Sequence, residues 1–278
     1  MVIDTSTNTI AGRIANTQGV HGFAIAPELG RGFSSNGGAN NVGIVDLGTL
    51  QTLSTVATGE NPDAIMYEPT HRQVWAFNHT GKSVTVIDAV KGVAIATTPL
   101  SGTAETGQAD ASVGRVFVNI EDEDSVDVLD MSSYKVIANY KVAPASSPTG
   151  MAMDPATHHV FVGGGKALVM MDSRTGKVIA SAPICAGTDA TWFDAQTSTA
   201  FVSCSDGHIT VVSVSGDSLK VVQTIETARG ARTMTLDPVT HKLYTAAADY
   251  LPASSAAPNG RPQTAPDTFH VLVFGPEK

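Results

Sequence analysis

No apolar run in this sequence approaches the ~18 residues that mark a membrane-spanning helix. A transmembrane segment is therefore not expected. Charge is also sparse, at 15% of residues, and it never gathers into the long like-charged blocks of disordered tails. Basic residues are the minority: 17 Lys and Arg stand against 26 Asp and Glu, a net charge of −9. A nucleic-acid face built on general basicity is excluded, since phosphate binding needs clustered cations. Cations and basic partners remain compatible. The opening "MVIDTSTNTIAG" lacks the basic start and apolar stretch of a signal peptide. Cysteine is limited to Cys185 and Cys204, which permit one disulfide or two buried thiols but not a full structural zinc site. Catalytic signatures are missing too. There is no G-x-S-x-G and no C-x-x-C-H. "GGGK" lacks the P-loop spacing and reads as a tight β-turn.

What is present is repetition. Strand-ending turns at Pro27, Pro69, Ala111, Pro155, Ala195 and Pro238 are separated by 42, 42, 44, 40 and 43 residues. A period of about 40–45 residues signals propeller blades. Each copy holds an apolar strand, an acidic turn such as "DPATHH", a β-branched strand such as "HVFVGG", a Gly/Asn/Asp turn, a third strand such as "SVTVID", and a fourth after "TGK" or its equivalent. Helix signals are weak throughout, which argues against a helical solenoid. The expected fold is all-β: one β-propeller domain over 1–278, WD40-like, of four-stranded antiparallel blades. It has six repeats plus a partial blade. "MVIDTSTNTIAGRIANT" matches a third and fourth strand, and "FHVLVFGPEK" matches a third strand with none after it. Pairing of the two ends would close the ring and leave no bare edge.

"VIDTSTNTIAGRI", "SVTVIDAVKG", "TGENPDAIMYEP" and "RGARTMTLDPVTHKLY" resemble the YncE-like family of bacterial YVTN-repeat β-propellers over nearly the whole chain. The resemblance implies a seven-bladed ring and a periplasmic or secreted location. It also implies a signal peptide and further N-terminal strands that this chain does not show. The sequence leaves open whether the ring closes with six blades, stays open or is completed by another chain; only the last would make an oligomer.

In a propeller the first strand of each blade lines the central channel. One register of that strand, six residues before each anchor, holds His21, Asp63, Glu105, Thr149, Asp189 and Arg232. The following residues, Gly22, Ala64, Thr106, Gly150, Ala190 and Thr233, are small, as a crowded wall requires. Asp63, Glu105 and Asp189 offer oxygen ligands to a divalent cation, Ca²⁺ first, with Zn²⁺ and Mg²⁺ as alternatives. His21 would act as general base and Arg232 would hold or stabilise an anion. The bland alternative is a solvated channel mouth whose polar groups pair with one another, Arg232 with Asp189 for instance.

Thr149 and, from the loops on the same face, Asn36, Asn78, Asn119 and Glu121 are candidate contacts to a small-molecule or protein ligand. The acidic run "NIEDED" does not have EF-hand spacing and reads as a solvated loop. His71, His158, His159 and His241 read as turn residues. A thiolate or copper site using His208 is the weakest reading of the cysteines. The segment 248–267 is long for a propeller turn and reads as a lid or a loose loop. Two functions follow: a cell-envelope binding or scaffold propeller, or a metal-dependent hydrolase, lactonase or lyase acting at the same funnel. The second rests on fold analogy.

Overall fold

The computed structural model describes residues 1–251 and 263–276. The middle of the expected lid, 252–262, lies outside the described residues. Its flanks are joined by a bridge between Tyr250 and Thr264, with Leu251 N–H donating to the Gln263 carbonyl at 2.7 Å.

The chain forms two compact units, Met1–Lys141 and Val142–Lys278. In the first unit, β1 (Val2–Asp4) pairs with β2 (Thr9–Gly12). Three four-stranded antiparallel sheets follow: β3 (Val20–Ala26), β4 (Arg31–Asn36), β5 (Asn41–Asp46), β6 (Thr52–Ala57); then β7 (Pro62–Glu68), β8 (Gln73–Asn78), β9 (Ser83–Asp88), β10 (Val93–Pro99); then β11 (Ala104–Asp110), β12 (Arg115–Ile120), β13 (Ser125–Asp130), β14 (Val136–Lys141). The second unit has two more: β15 (Pro148–Asp154), β16 (His159–Gly164), β17 (Ala167–Asp172), β18 (Val178–Pro183), and β19 (Thr188–Asp194), β20 (Thr199–Cys204), β21 (His208–Ser215), β22 (Ser218–Glu226). It ends on a sheet of three, β23 (Met234–Asp237), β24 (Lys242–Ala247) and β25 (His270–Phe274). The six anchors of the repeat each follow the first strand of one of these six sheets.

The turns explain why the period is so regular. Asp4, Asp46, Asp88, Asp130 and Asp172, spaced by 42, end a third strand or its N-terminal equivalent. Each carboxylate accepts backbone N–H groups two or three residues on, as Asp130 does from Ser132 at 3.2 Å and Ser133 at 2.7 Å. A residue with positive φ closes each turn: Asn8, Leu50, Gly92, Tyr134 and Gly176. The Asp supplies the acceptor that the tightly turned backbone would otherwise lack. At the first-to-second-strand turns, Glu68, Asp110, Asp154, Asp194 and Asp237 do the same.

The core lies between neighbouring sheets. Trp75 and Phe77 of β8 are fully buried with Val84, Val116, Val118 and Leu129. Phe33, Val42, Ile44, Val74 and Ile87 fill the preceding interlayer, and Phe161, Leu168, Met170, Val202 and Val212 fill one in the second unit. Each such side chain contributes about 1.5–3 kcal/mol by burial. One reading of the histidines is corrected here. His159 is not a turn residue but the first residue of β16, 8% exposed, its ring edge-on to Phe161. It follows His158, whose φ of 61° makes the turn. "GGGK" is the expected tight turn, with Gly165 at φ 59° between β16 and β17.

Candidate functional site

The register picked out by the repeat is structurally distinctive. His21, Asp63, Glu105, Thr149 and Asp189 each occupy the second position of a seven-residue first strand. In every one of these five strands the pairing with the second strand slips at that point: between Val20 and Gly22, Pro62 and Ile65, Ala104 and Gly107, Pro148 and Gly150, Thr188 and Thr191. Such a bulge turns a side chain away from the regular pleat, and proteins use it to aim residues at sites. Arg232 lies two residues before the shorter β23.

Packing holds these residues in place. In the first unit the Ser35 hydroxyl donates to the Asp63 carbonyl at 2.5 Å, while Gly22 N–H donates to Ser35 Oγ at 2.9 Å. In the second, Ser203 Oγ donates to the Arg232 carbonyl. At Gly150, which follows the register residue Thr149, small size is needed: a Cβ there would lie 2.7 Å from the backbone nitrogen of Thr191.

Two histidine–carboxylate pairs bridge successive sheets of the first unit. His21 Nδ1 lies 2.9 Å from Asp63 Oδ1, and His79 Nδ1 lies 2.9 Å from Glu105 Oε1. His79 follows β8 directly, and its own N–H is tied to the Asn61 carbonyl at 2.9 Å. One ligand atom from each of Asp63, His79 and Glu105 falls within 4.8 Å of the others. All three are half-buried, whereas the His21 side chain is 51% exposed. Two carboxylates and an imidazole, screened but reachable from solvent, form a donor set suited to a divalent transition-type ion.

In the second unit, Arg232 Nε lies 3.6 Å from Asp189 Oδ1, and Thr233 Oγ1 donates to Asp189 Oδ2 at 3.3 Å. Thr149 Oγ1 donates to the Thr188 carbonyl at 2.8 Å. The candidate ligand contacts Asn36, Asn78 and Asn119 are buried at the ends of second strands. Asn78 Nδ2 is used internally, donating to Ser83 Oγ and Thr85 Oγ1, both at 3.0 Å. Glu121 is half-exposed and holds the place in its repeat that His79 holds in the one before. Its neighbours in the acidic run are tethered. Lys82 Nζ donates to Asp122 Oδ2 at 2.7 Å, and that bond, with one from Thr103 N–H, draws the Asp122 carboxyl down to about 2. Lys141 Nζ caps the Glu123 carbonyl at 2.7 Å.

His79 is the residue that sequence reasoning missed. The signal available was its loop, 78–82, which the repeat assigns to the same face as the entry to the first strands.

Cys185 and Cys204 form a disulfide, so neither is a free thiolate that could serve a copper site as the chain stands.

No protein-family model matches the chain, and no curated protein matches it. Solved structures do. The WD40 β-propeller domain of Doa1 superposes with a TM-score of 0.72 at 13% identity, over 93% of this chain and 79% of that one. The fold is a β-propeller. A chain of a mitotic checkpoint complex gives 0.75 at 13% identity, over 87% of this propeller and 76% of that chain. A chain of the Kuenenia stuttgartiensis hydrazine synthase gives 0.71 at 15%, over 85% and 76%. At such identities the likeness concerns the fold alone. Its six repeat sheets are the blades, five of four strands and one of three among the described residues. No helix among the described residues is long and apolar enough to cross a membrane.

Proposed function

We propose that this chain is a binding propeller of the cell envelope that holds a divalent cation, or a polar ligand through it, on Asp63, His79 and Glu105. The observation that carries the reading is the convergence of one ligand atom from each residue within 4.8 Å, drawn from two adjacent blades. An imidazole beside two carboxylates shifts the preferred ion from Ca²⁺, which takes about 6–8 oxygens, toward Zn²⁺ or Mn²⁺. His21, bonded to Asp63, then acts from behind the ligands by fixing the orientation of that carboxylate. Asp189, Arg232 and Thr149 belong to the second unit and enter this reading only as members of the same register. The envelope location is supported by the Cys185–Cys204 disulfide, because such bonds persist in oxidising compartments, and by the YncE-like resemblance.

The test is metal analysis of protein purified without chelator, followed by calorimetric titration with Zn²⁺, Mn²⁺ and Ca²⁺. One ion per chain, lost in Asp63→Ala and in His79→Ala, supports the site. Absence of binding by any of the three ions overturns it.

A second reading, metal-assisted hydrolysis of an ester or lactone, has one specific observation in its favour. The exposed His21 imidazole is oriented by the Asp63 carboxylate, as a general base is oriented by an acidic partner. Turnover of a lactone panel by the ion-loaded chain, abolished by His21→Ala while the ion stays bound, would select it. Ion binding without turnover leaves the binding role.

A further inference from the structure

The disulfide sits beside a second set of metal-ligating atoms, wholly within the second unit. Cys185 is half-buried and Cys204 is fully buried. One ligand atom from each of Cys185, Cys204 and Asp206 lies within 4.8 Å of the others. The Asp206 carboxylate is held from two sides, by Ala186 N–H at 2.9 Å and by His208 Nδ1 at 3.1 Å. A surface hollow of about 340 Å³, lined in part by Cys185, Asp206, His208 and Thr210, opens the place to solvent. Thr210 Oγ1 accepts the Cys185 N–H at 3.0 Å, which fixes the backbone at the more accessible cysteine.

Disulfide sulfurs are poor ligands, whereas thiolates bind metals strongly. We propose that two-electron reduction of Cys185–Cys204 converts this place into a soft-metal site for Zn²⁺ or a similar divalent ion, with Cys185, Cys204 and Asp206 as ligands. A dithiol supplies the electrons. It becomes a disulfide, the Cys185–Cys204 bond breaks, and each sulfur takes up one proton. Binding of the ion then expels both thiol protons and forms two sulfur–metal bonds and one oxygen–metal bond. The fourth position faces the hollow. Bond lengths of about 2.3 Å to sulfur and 2.0–2.2 Å to oxygen require the two sulfurs to move apart once their bond is broken, while the carboxylate oxygen already lies within 4.8 Å of both. His208 is a positioning residue, because it holds the carboxylate rather than the ion. The oxidised chain carries the bond and the reduced chain carries the ion, so the two states exclude each other.

The test uses the full chain, oxidised or reduced with dithiothreitol and desalted without air, titrated with Co²⁺ as the spectroscopic stand-in for zinc. One Co²⁺ with a thiolate-to-cobalt charge-transfer band is expected in the reduced chain and no such band in the oxidised one. The Asp63 cluster contains no sulfur and cannot produce it, so the two sites are read separately. Asp206→Ala and His208→Ala are each expected to weaken the reduced site by about 10-fold or more, and His208→Asn, which keeps a donor, to restore part of the loss. Three results overturn the proposal: no band in the reduced chain, unchanged affinity in Asp206→Ala and Asp206→Asn, or loss of the β-sheet circular dichroism on reduction.

Discussion

At the scale of single residues, His79 and Glu105 make the candidate site more than a row of acids. Asp63 and Glu105 could be found by counting back from the repeat anchors, because the register recurs and its residue types stay polar. His79 could not. Its equivalents one, two and three repeats along are Glu121, Gly165 and Ser205, and one repeat back is Gly37, so no pattern marks the position. Its meaning comes from packing, which carries its ring to the carboxylate of the next blade. Glu105→Gln removes the charge and keeps the shape. It is expected to weaken Zn²⁺ binding by at least about tenfold while leaving thermal stability nearly unchanged, as calorimetry and melting curves can check. Gly150 tests the crowding at the same register. Gly150→Ala presses a methyl against the Thr191 backbone and is expected to cost about 1–3 kcal/mol in a denaturant melt.

Elements follow from the sequence more directly. Strand, acidic turn, strand and glycine turn repeat in fixed order, and every first strand falls where the anchors place it. The bulge in five of the six first strands was not legible, because nothing in the residue types marks a slipped pair. The turn acids have a consequence for pH. Hydrogen bonds from the Ser132 and Ser133 side chains hold the Asp130 carboxyl down to about 2, and the Arg174 side chain does the same for Asp172, also to about 2. Both folded values lie below the unfolded reference of about 3.9, so their contribution is present above that value and is lost as pH falls toward about 2. Melting temperature is expected to hold down to about pH 4 and to drop below it. The double variant Asp130→Asn, Asp172→Asn, which can still cap the turns but does not titrate, should show a shallower drop. In the core of the first unit, Phe77→Ala is expected to destabilise by about 3–5 kcal/mol, measured by urea unfolding, because the ring is fully buried among β-branched neighbours.

On the scale of the whole molecule, the period alone pointed to a propeller, and the likeness to the Doa1 propeller over 93% of the chain agrees with it. Fold was legible because burying sheet faces against one another demands a regular repeat; function was not, because a propeller presents its ligands from loops and bulges that vary from blade to blade. The disulfide was left open by the sequence, since two cysteines 19 residues apart can be brought together or left as buried thiols with equal ease. Its loop length implies a contribution near 3 kcal/mol, so the Cys185→Ser, Cys204→Ser pair should melt lower yet remain folded. The central claim is that Asp63, His79 and Glu105 together hold one divalent ion. Its most direct test is Zn²⁺ titration of the oxidised chain followed by calorimetry. One ion per chain for the wild type and none for the Asp63→Ala, Glu105→Ala double variant is the predicted result; equal binding by the two chains, or binding by neither, would contradict it.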